Sequence, residues 1–245
     1  RDPRAVRGMS ARGLPLIVLR PEPGCAATVA RAAALGLDAH GCPLFAIEAR
    51  GWTPPPADAF SALLLTSANA VRHGGAALHR YRSLPVWAVG EATAEAAREA
   101  GFTIAATGDA GAQALVERMR GQADQILWLC GEQRSAIAAP VATITALPVY
   151  AARRIEPAPQ LAALLAEPAV AMVHSARAGK ALGELVGERA ALSIAAIGAR
   201  AAAACGPGWR ALAIAARPDD EAMLELAQAM CQKPPGETFA RMTSR

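Results

Sequence analysis

The feature that most constrains this chain is an internal repeat. The pieces Leu63-Leu-Leu-Thr-Ser67, Val89-Gly90 and Gln113-Ala-Leu-Val-Glu117 return as Ala171-Met-Val-His-Ser175, Ile197-Gly198 and Glu221-Ala-Met-Leu-Glu225. Ser67 and Ser175, Gly90 and Gly198, and Gln113 and Glu221 are each 108 residues apart, so no insertion separates the anchors. Two related halves in one chain usually enclose a cleft, with matching loops on its two sides. Each apolar run is short and is followed by an Ala-rich helical stretch, the pattern of parallel strands covered on both faces.

The repeat also predicts the topology. Ile126-Leu-Trp-Leu-Cys-Gly-Glu132 closes the first copy, and its counterpart, Leu16-Ile-Val-Leu-Arg-Pro-Glu22, stands at the other end of the chain. Cys42-Pro-Leu-Phe-Ala46 matches Leu147-Pro-Val-Tyr-Ala151 in the same way. The second half therefore reads as circularly permuted. The expected fold is α/β: two similar three-layer α/β domains with parallel sheets, one of them discontinuous, joined by a two-stranded connection with a cleft between them. The discontinuous domain is assigned to 14–43 and 157–232, the inserted domain to 52–147, and the crossings to 44–51 and 148–156. Residues 1–13 and 233–245 are expected to be flexible tails. Helices are expected at 26–35, 68–79, 93–100, 112–120, 135–140, 176–186, 200–205 and 220–231.

Composition narrows the class. Of 245 residues 53% are hydrophobic and 19% charged, which supplies real cores. No run approaches about 18 strongly apolar residues, so no membrane span is expected. The net charge of +4 is mild, and two Tyr and four Phe cannot build a basic–aromatic stripe for nucleic acid. Such a balance suits an anionic small molecule. Cys25, Cys42, Cys130, Cys205 and Cys231 are odd in number and lack a C-x-x-C pair. They read as buried thiols in a reducing cytoplasm rather than as a metal site or a disulfide framework. The Arg-rich start has no apolar h-region behind it, which argues against a secretory signal, and Met9 is a candidate start.

The loops leaving the strands carry the candidate chemistry. Thr66-Ser67-Ala-Asn69 and His174-Ser175-Ala-Arg177 lead from a strand into a helix, as do Gly90-Glu-Ala-Thr93 and Gly198-Ala-Arg200. Carboxyl ends of parallel strands line the ligand crevice of open α/β sheets. Helix N-termini there offer unpaired N–H groups and a partial positive charge for carboxylates or phosphates. Ser67 and Ser175 also suit plain N-capping, and Gly90 and Gly198 suit tight turns. Arg20, Arg134, Arg177, Lys180 and Arg200 are candidates for a basic lining. No Walker loop and no G-x-G-x-x-G at a strand–helix junction is present. No metal motif is present either. His73 and His79 are expected to be solvated on a helix, and His174 to stand at a cleft edge.

Taken in order, Leu63-Leu-Leu-Thr-Ser-Ala-Asn-Ala-Val71, Val89-Gly-Glu-Ala-Thr-Ala94, Pro148-Val-Tyr150, Val173-His-Ser-Ala176 and Ala196-Ile-Gly198 resemble the uroporphyrinogen-III synthase family over about 14–230. Ala216-Arg-Pro-Asp-Asp-Glu-Ala222 fits the short polar turn before that family's last helix. The resemblance implies a lyase of haem and tetrapyrrole biosynthesis. It would cyclise linear hydroxymethylbilane to uroporphyrinogen III, with loss of water and inversion of ring D, and without a cofactor or metal. It implies that Ser67, Thr93, Tyr150 and Ser175 line the substrate site, with Tyr150 as a general acid. Arg20, Thr66, Asn69, Gly90, His174, Arg177, Gly198 and Arg200 complete the expected substrate-binding set. Where the family often has hydroxyl residues, this chain has Ala199-Arg200-Ala201, which makes Arg200 a substitute carboxylate partner. A cytoplasmic monomer with a linear tetrapyrrole polycarboxylate as its only partner is expected. Two rivals are a non-enzymatic two-domain sensor of an anionic small molecule and a catalytically degenerate relative.

Overall fold

The computed structural model describes residues 13–139 and 142–232. Of the expected flexible tails only Gly13 lies within that range. The chain divides into two compact units, one made of the residues up to Ala46 with those from Arg154 onward, the other of Ile47–Arg153. The chain therefore passes twice between them.

The elements follow in the order β1 (Leu16–Val18), α1 (Gly24–Ala34), β2 (Ala39–Gly41), β3 (Phe45–Ala49), β4 (Ala62–Leu65), α2 (Ala68–His73), β5 (Val86–Val89), α3 (Glu91–Glu99), β6 (Ile104–Gly108), α4 (Ala112–Arg118), β7 (Gln125–Gly131) and β8 (Thr143–Arg154). The chain continues with α5 (Pro159–Leu165), β9 (Ala169–Val173), α6 (Ala176–Leu185), β10 (Leu192–Ala196), α7 (Ala199–Cys205), β11 (Ala211–Ile214) and α8 (Asp220–Gln232). The first unit holds a five-stranded sheet of order β11-β10-β9-β1-β2, and every pairing in it is parallel. The second sheet runs β3-β8-β7-β4-β5-β6, with parallel pairing from β8 through β6.

Strand order shows the permutation directly. The run β8-β7-β4-β5-β6 corresponds strand for strand to β2-β1-β9-β10-β11, and the two strands that come last in the chain for one run come first for the other. The fold class is thus mixed α/β with parallel sheets in two domains.

Alternation along each strand places the cores. Leu63, Leu65, Leu127 and Leu129 pack with Ala70 of α2 and with Ala94 and Ala97 of α3. Ala62, Leu64, Ile126 and Trp128 face the other way, against Leu115 and Val116 of α4. In the first unit Leu16, Val18, Val170 and Met172 meet Cys25 and Ala32 of α1 and Met223, Ala227 and Met230 of α8. Burial of each large aliphatic side chain stabilises the fold by about 1.5–3 kcal/mol. On the opposite face α6 and α7 approach closely at Gly179, where a Cβ would lie 2.8 Å from the Ala201 carbonyl oxygen. All five cysteines are buried free thiols.

Three expectations are corrected. The helix expected over 135–140 is absent from its described residues, because the Gln113 amide meets both backbone groups of Ala138. Gln113 Nε2 donates to the Ala138 oxygen at 3.0 Å, and the Ala138 N–H donates to Gln113 Oε1 at 2.9 Å. Ile137 and Ala139 pack on the α4 side of the sheet instead. The helix expected over 68–79 stops at His73 and resumes as a 3-10 turn at Ala76–Tyr81. Gly75 between them has φ +68, and Trp52 Nε1 donates to the Gly74 carbonyl at 2.9 Å. Third, β2, β6 and α5 are additional elements: the strand residues are mostly only partly buried, and α5 buries Leu161 alone.

Candidate functional site

Because each sheet is parallel, the loops after its strands leave from one edge. In both units the order in which strands are added reverses at one place, between β9 and β1 in the first and between β4 and β7 in the second. Ligand crevices of such sheets form at this switch point.

In the unit of Ile47–Arg153, Thr66 follows β4 and its Oγ1 accepts a hydrogen bond from Trp128 Nε1 at 3.1 Å. Ser67 is the N-cap of α2, its Oγ accepting from the Asn69 N–H at 3.2 Å. Gly90 precedes α3 at φ +79, a backbone that favours glycine. Its N–H donates to the Gly108 carbonyl at 2.7 Å. Thr93 lies on the inner face of α3 and is 5% exposed.

Tyr150 sits on β8, paired with Gly131 just where the register of β7 and β8 shifts. A Cβ on Gly131 would lie 2.9 Å from Tyr150 Cε2 and 3.1 Å from its hydroxyl, so the missing side chain is what admits the ring. The His73 ring stands over it with centroids 6.4 Å apart and a 40° tilt. His73 was expected to be solvated; it is half-buried. Burial, helped by the Arg72 charge, lowers its pKa below the ordinary 6.5. Glu132, next to Gly131, ion-pairs with Arg50 at 2.7 Å and Arg153 at 3.1 Å.

In the other unit Ser175 caps α6, its Oγ accepting from the Ala178 N–H at 3.1 Å. Arg177 places its guanidinium over the Phe45 ring, 5.6 Å from the centroid. Gly198 does not serve the tight turn expected of it: φ is −178, extended backbone open to any residue. Arg200 is exposed on the first turn of α7, and Lys180 is exposed on α6. Arg134 belongs to the other unit, where its guanidinium lies over the Trp128 ring at 5.6 Å from the centroid.

Arg20 belongs to a charged cluster that includes two partners from distant sequence, Asp220 and His174, with Arg31 from the neighbouring helix. Its Nη1 donates to both carboxylate oxygens of Asp220, the first residue of α8, at 2.5 Å. It also reaches Thr28 Oγ1 at 3.4 Å. Arg31 Nη2 donates to the same carboxylate at 2.6 Å. His174 Nε2 lies 3.6 Å from Asp220 Oδ1, and its side chain is 7% exposed. Burial lowers the His174 pKa, with Asp220 pulling the other way and Arg20 adding to the lowering. Burial alone would raise Asp220, but His174 and Arg20 hold it well below the ordinary carboxylate range. Asp220 and Arg31 escaped the sequence reading, although Asp220 lies in the quoted Arg-Pro-Asp-Asp turn.

Among the described residues no group of three or more His, Cys, Asp or Glu converges as a metal site. No described helix is long and apolar enough to cross a membrane.

Two solved structures share the fold. A uroporphyrinogen-III synthetase from Helicobacter pylori matches at 17% identity and TM-score 0.62, over 89% of this chain and 99% of that one. A mutant uroporphyrinogen III synthase from Thermus thermophilus matches at 18% identity and TM-score 0.53, over 89% of this chain and all of that one. No curated protein sequence matches significantly. The family model described as Uroporphyrinogen-III synthase HemD matches residues 26–225, which include both copies of the repeat and all but one of the strand-end residues above. By that match the chain belongs to the uroporphyrinogen-III synthase family.

Proposed function

We propose that this chain cyclises hydroxymethylbilane to uroporphyrinogen III, inverting ring D and releasing water, as a step of haem and tetrapyrrole biosynthesis. The observation that carries this reading is the family match over residues 26–225. The repeated strand-end loops supply suitable chemistry. The substrate is a flexible polycarboxylate, and the N-termini of α3 and α6 with Ser67, Ser175, Arg20, Arg177 and Arg200 offer donors of the right sign. Thr66, Asn69, Gly90, Thr93, His174 and Gly198 complete the substrate-binding set we assign. A cytoplasmic, monomeric protein is the setting proposed for it.

The reaction needs positioning more than strong acid–base chemistry. Electron release from the pyrrole nitrogen expels the hydroxymethyl oxygen, which leaves as water after taking a proton. We assign that proton to the Tyr150 phenol. The resulting azafulvene is attacked by the substituted carbon of ring D, giving a spiro intermediate that fragments and recloses with ring D inverted. The final proton loss restores aromaticity, and the phenol is regenerated. Holding the chain folded for this attack, rather than for direct closure, is an orientation effect that can supply several kcal/mol.

The test is to incubate the purified protein with hydroxymethylbilane and separate the product isomers. The type III isomer, formed faster than spontaneous closure, is expected. Tight binding of the tetrapyrrole without turnover would favour the sensor reading instead.

A further inference from the structure

We propose that Arg20 and Arg31, held by Asp220, form with His174 a subsite for one carboxylate of a polycarboxylate ligand, with Asp220 as the positioning residue of the two guanidinium groups. The inference rests on the reading above for the identity of that ligand, though not for the existence of the subsite. Three independent observations lead to it.

The first is charge. Two guanidinium groups share one carboxylate, so the cluster carries a surplus of one positive charge and suits one further anion. The second is the state of His174. Neither ring nitrogen has a hydrogen-bond partner, although the side chain is 7% exposed. Its distance of 3.6 Å from Asp220 is beyond hydrogen-bonding range. Buried imidazoles normally bond through at least one nitrogen, and Nε2 faces the same Asp220 carboxylate that Arg20 holds. The third is place. Arg20 and His174 leave the carboxyl ends of the adjacent strands β1 and β9, at the switch point of their sheet. Arg20 and Asp220 remain 28% and 29% exposed, which leaves the cluster open to a ligand group.

Asp220 has a separate job. Without it, Arg20 and Arg31 repel and Arg20 loses the contact to both carboxylate oxygens that orients its guanidinium plane. Thr28 Oγ1, at 3.4 Å, is too weak a partner to replace it.

The experiment measures kcat and KM for type III isomer formation in the full chain carrying Arg20→Gln, Arg31→Gln, Asp220→Asn or Asp220→Glu. We expect KM to rise about tenfold in Arg20→Gln and Asp220→Asn and about threefold in Arg31→Gln, with kcat within threefold of wild type. Asp220→Glu should recover most of the loss. KM values within twofold of wild type in folded Arg20→Gln and Arg31→Gln overturn the subsite. An Asp220→Asn that lowers only thermal stability overturns the positioning role. A second readout needs no turnover: the ¹⁵N resonances of His174, followed while uroporphyrin III, an octacarboxylate, is added. A saturable shift lost in Arg20→Gln supports the subsite even where the wild type makes no type III isomer, which would sink the functional reading alone. No shift in the wild type overturns the subsite.

Discussion

The two sheets reverse their strand order at equivalent places, yet they equip those places differently. Beside β1 and β9 stand Arg20, His174 and Asp220. The positions matching them through strand register and the 108-residue offset are Cys130, Thr66 and Ala112. One unit therefore carries an ionic cluster where the other carries a buried thiol, a hydroxyl that accepts from Trp128 and a methyl group. Burial pushes the Cys130 thiol up to about 11, with Arg134 opposing, so it is no nucleophile at neutral pH. What that unit has instead is Tyr150, seated against Gly131 and His73. A duplicated framework has thus diverged at its edges while keeping its strands. We assign the ionic edge to a substrate carboxylate and Tyr150 to the bond that breaks.

The largest expected effect lies at the tyrosine edge. Tyr150→Phe should lower kcat by more than about tenfold, or ~1.4 kcal/mol of transition-state stabilisation, with KM little changed; wild-type kcat would remove the acid role. Gly131→Ala comes next. The added methyl forces the Tyr150 ring to move, and kcat should fall about three- to tenfold as the phenol loses its alignment, while Gly121→Ala, at a remote turn, serves as the control for general strain.

pH reaches a histidine at each edge, His174 at the ionic one and His73 at the tyrosine one. His174 and His73 have folded pKa values below 6.5, so between the folded and unfolded values the unfolded chain binds more protons. Their contribution is present above about pH 6.5 and is lost as pH falls toward the folded values. The thermal midpoint should therefore drop between about pH 7.5 and 5.5. His174→Gln should flatten that slope, and an unchanged slope would show that His174 does not report on the cluster. The smallest effect belongs to the other unit: Thr66→Val removes the Trp128 hydrogen bond and should cost about 1 kcal/mol, read as a shift in denaturation midpoint at constant m-value.

The contrast between the edges was only half visible in the chain. Leu63-Leu-Leu65 and Ile126 to Leu129 read as strands because both faces are buried, and the displaced match at Leu16 to Leu19 carried the permuted strand order. Edge strands such as β2 and β6 escaped because one side faces solvent. The 135–139 segment misled for a different reason: its Ala-rich composition favours a helix, but Gln113, far back in sequence, takes its backbone groups. The capping roles of Ser67 and Ser175 are local and were legible. Arg20 with Asp220 was not, since the partners lie 200 residues apart and the pairing exists only once α8 has packed on the sheet. His73 beside Tyr150 likewise joins residues far apart in sequence, on α2 and β8.

The division of labour between the two edges is tested most directly by one set of kinetics. Type III isomer formation from hydroxymethylbilane is measured for wild type, Tyr150→Phe and Arg20→Gln under identical conditions. The account predicts type III product from the wild type, a loss confined mainly to kcat in the first variant, and a loss confined mainly to KM in the second. Type I product alone at the spontaneous rate, or one shared kinetic signature for both variants, would contradict it.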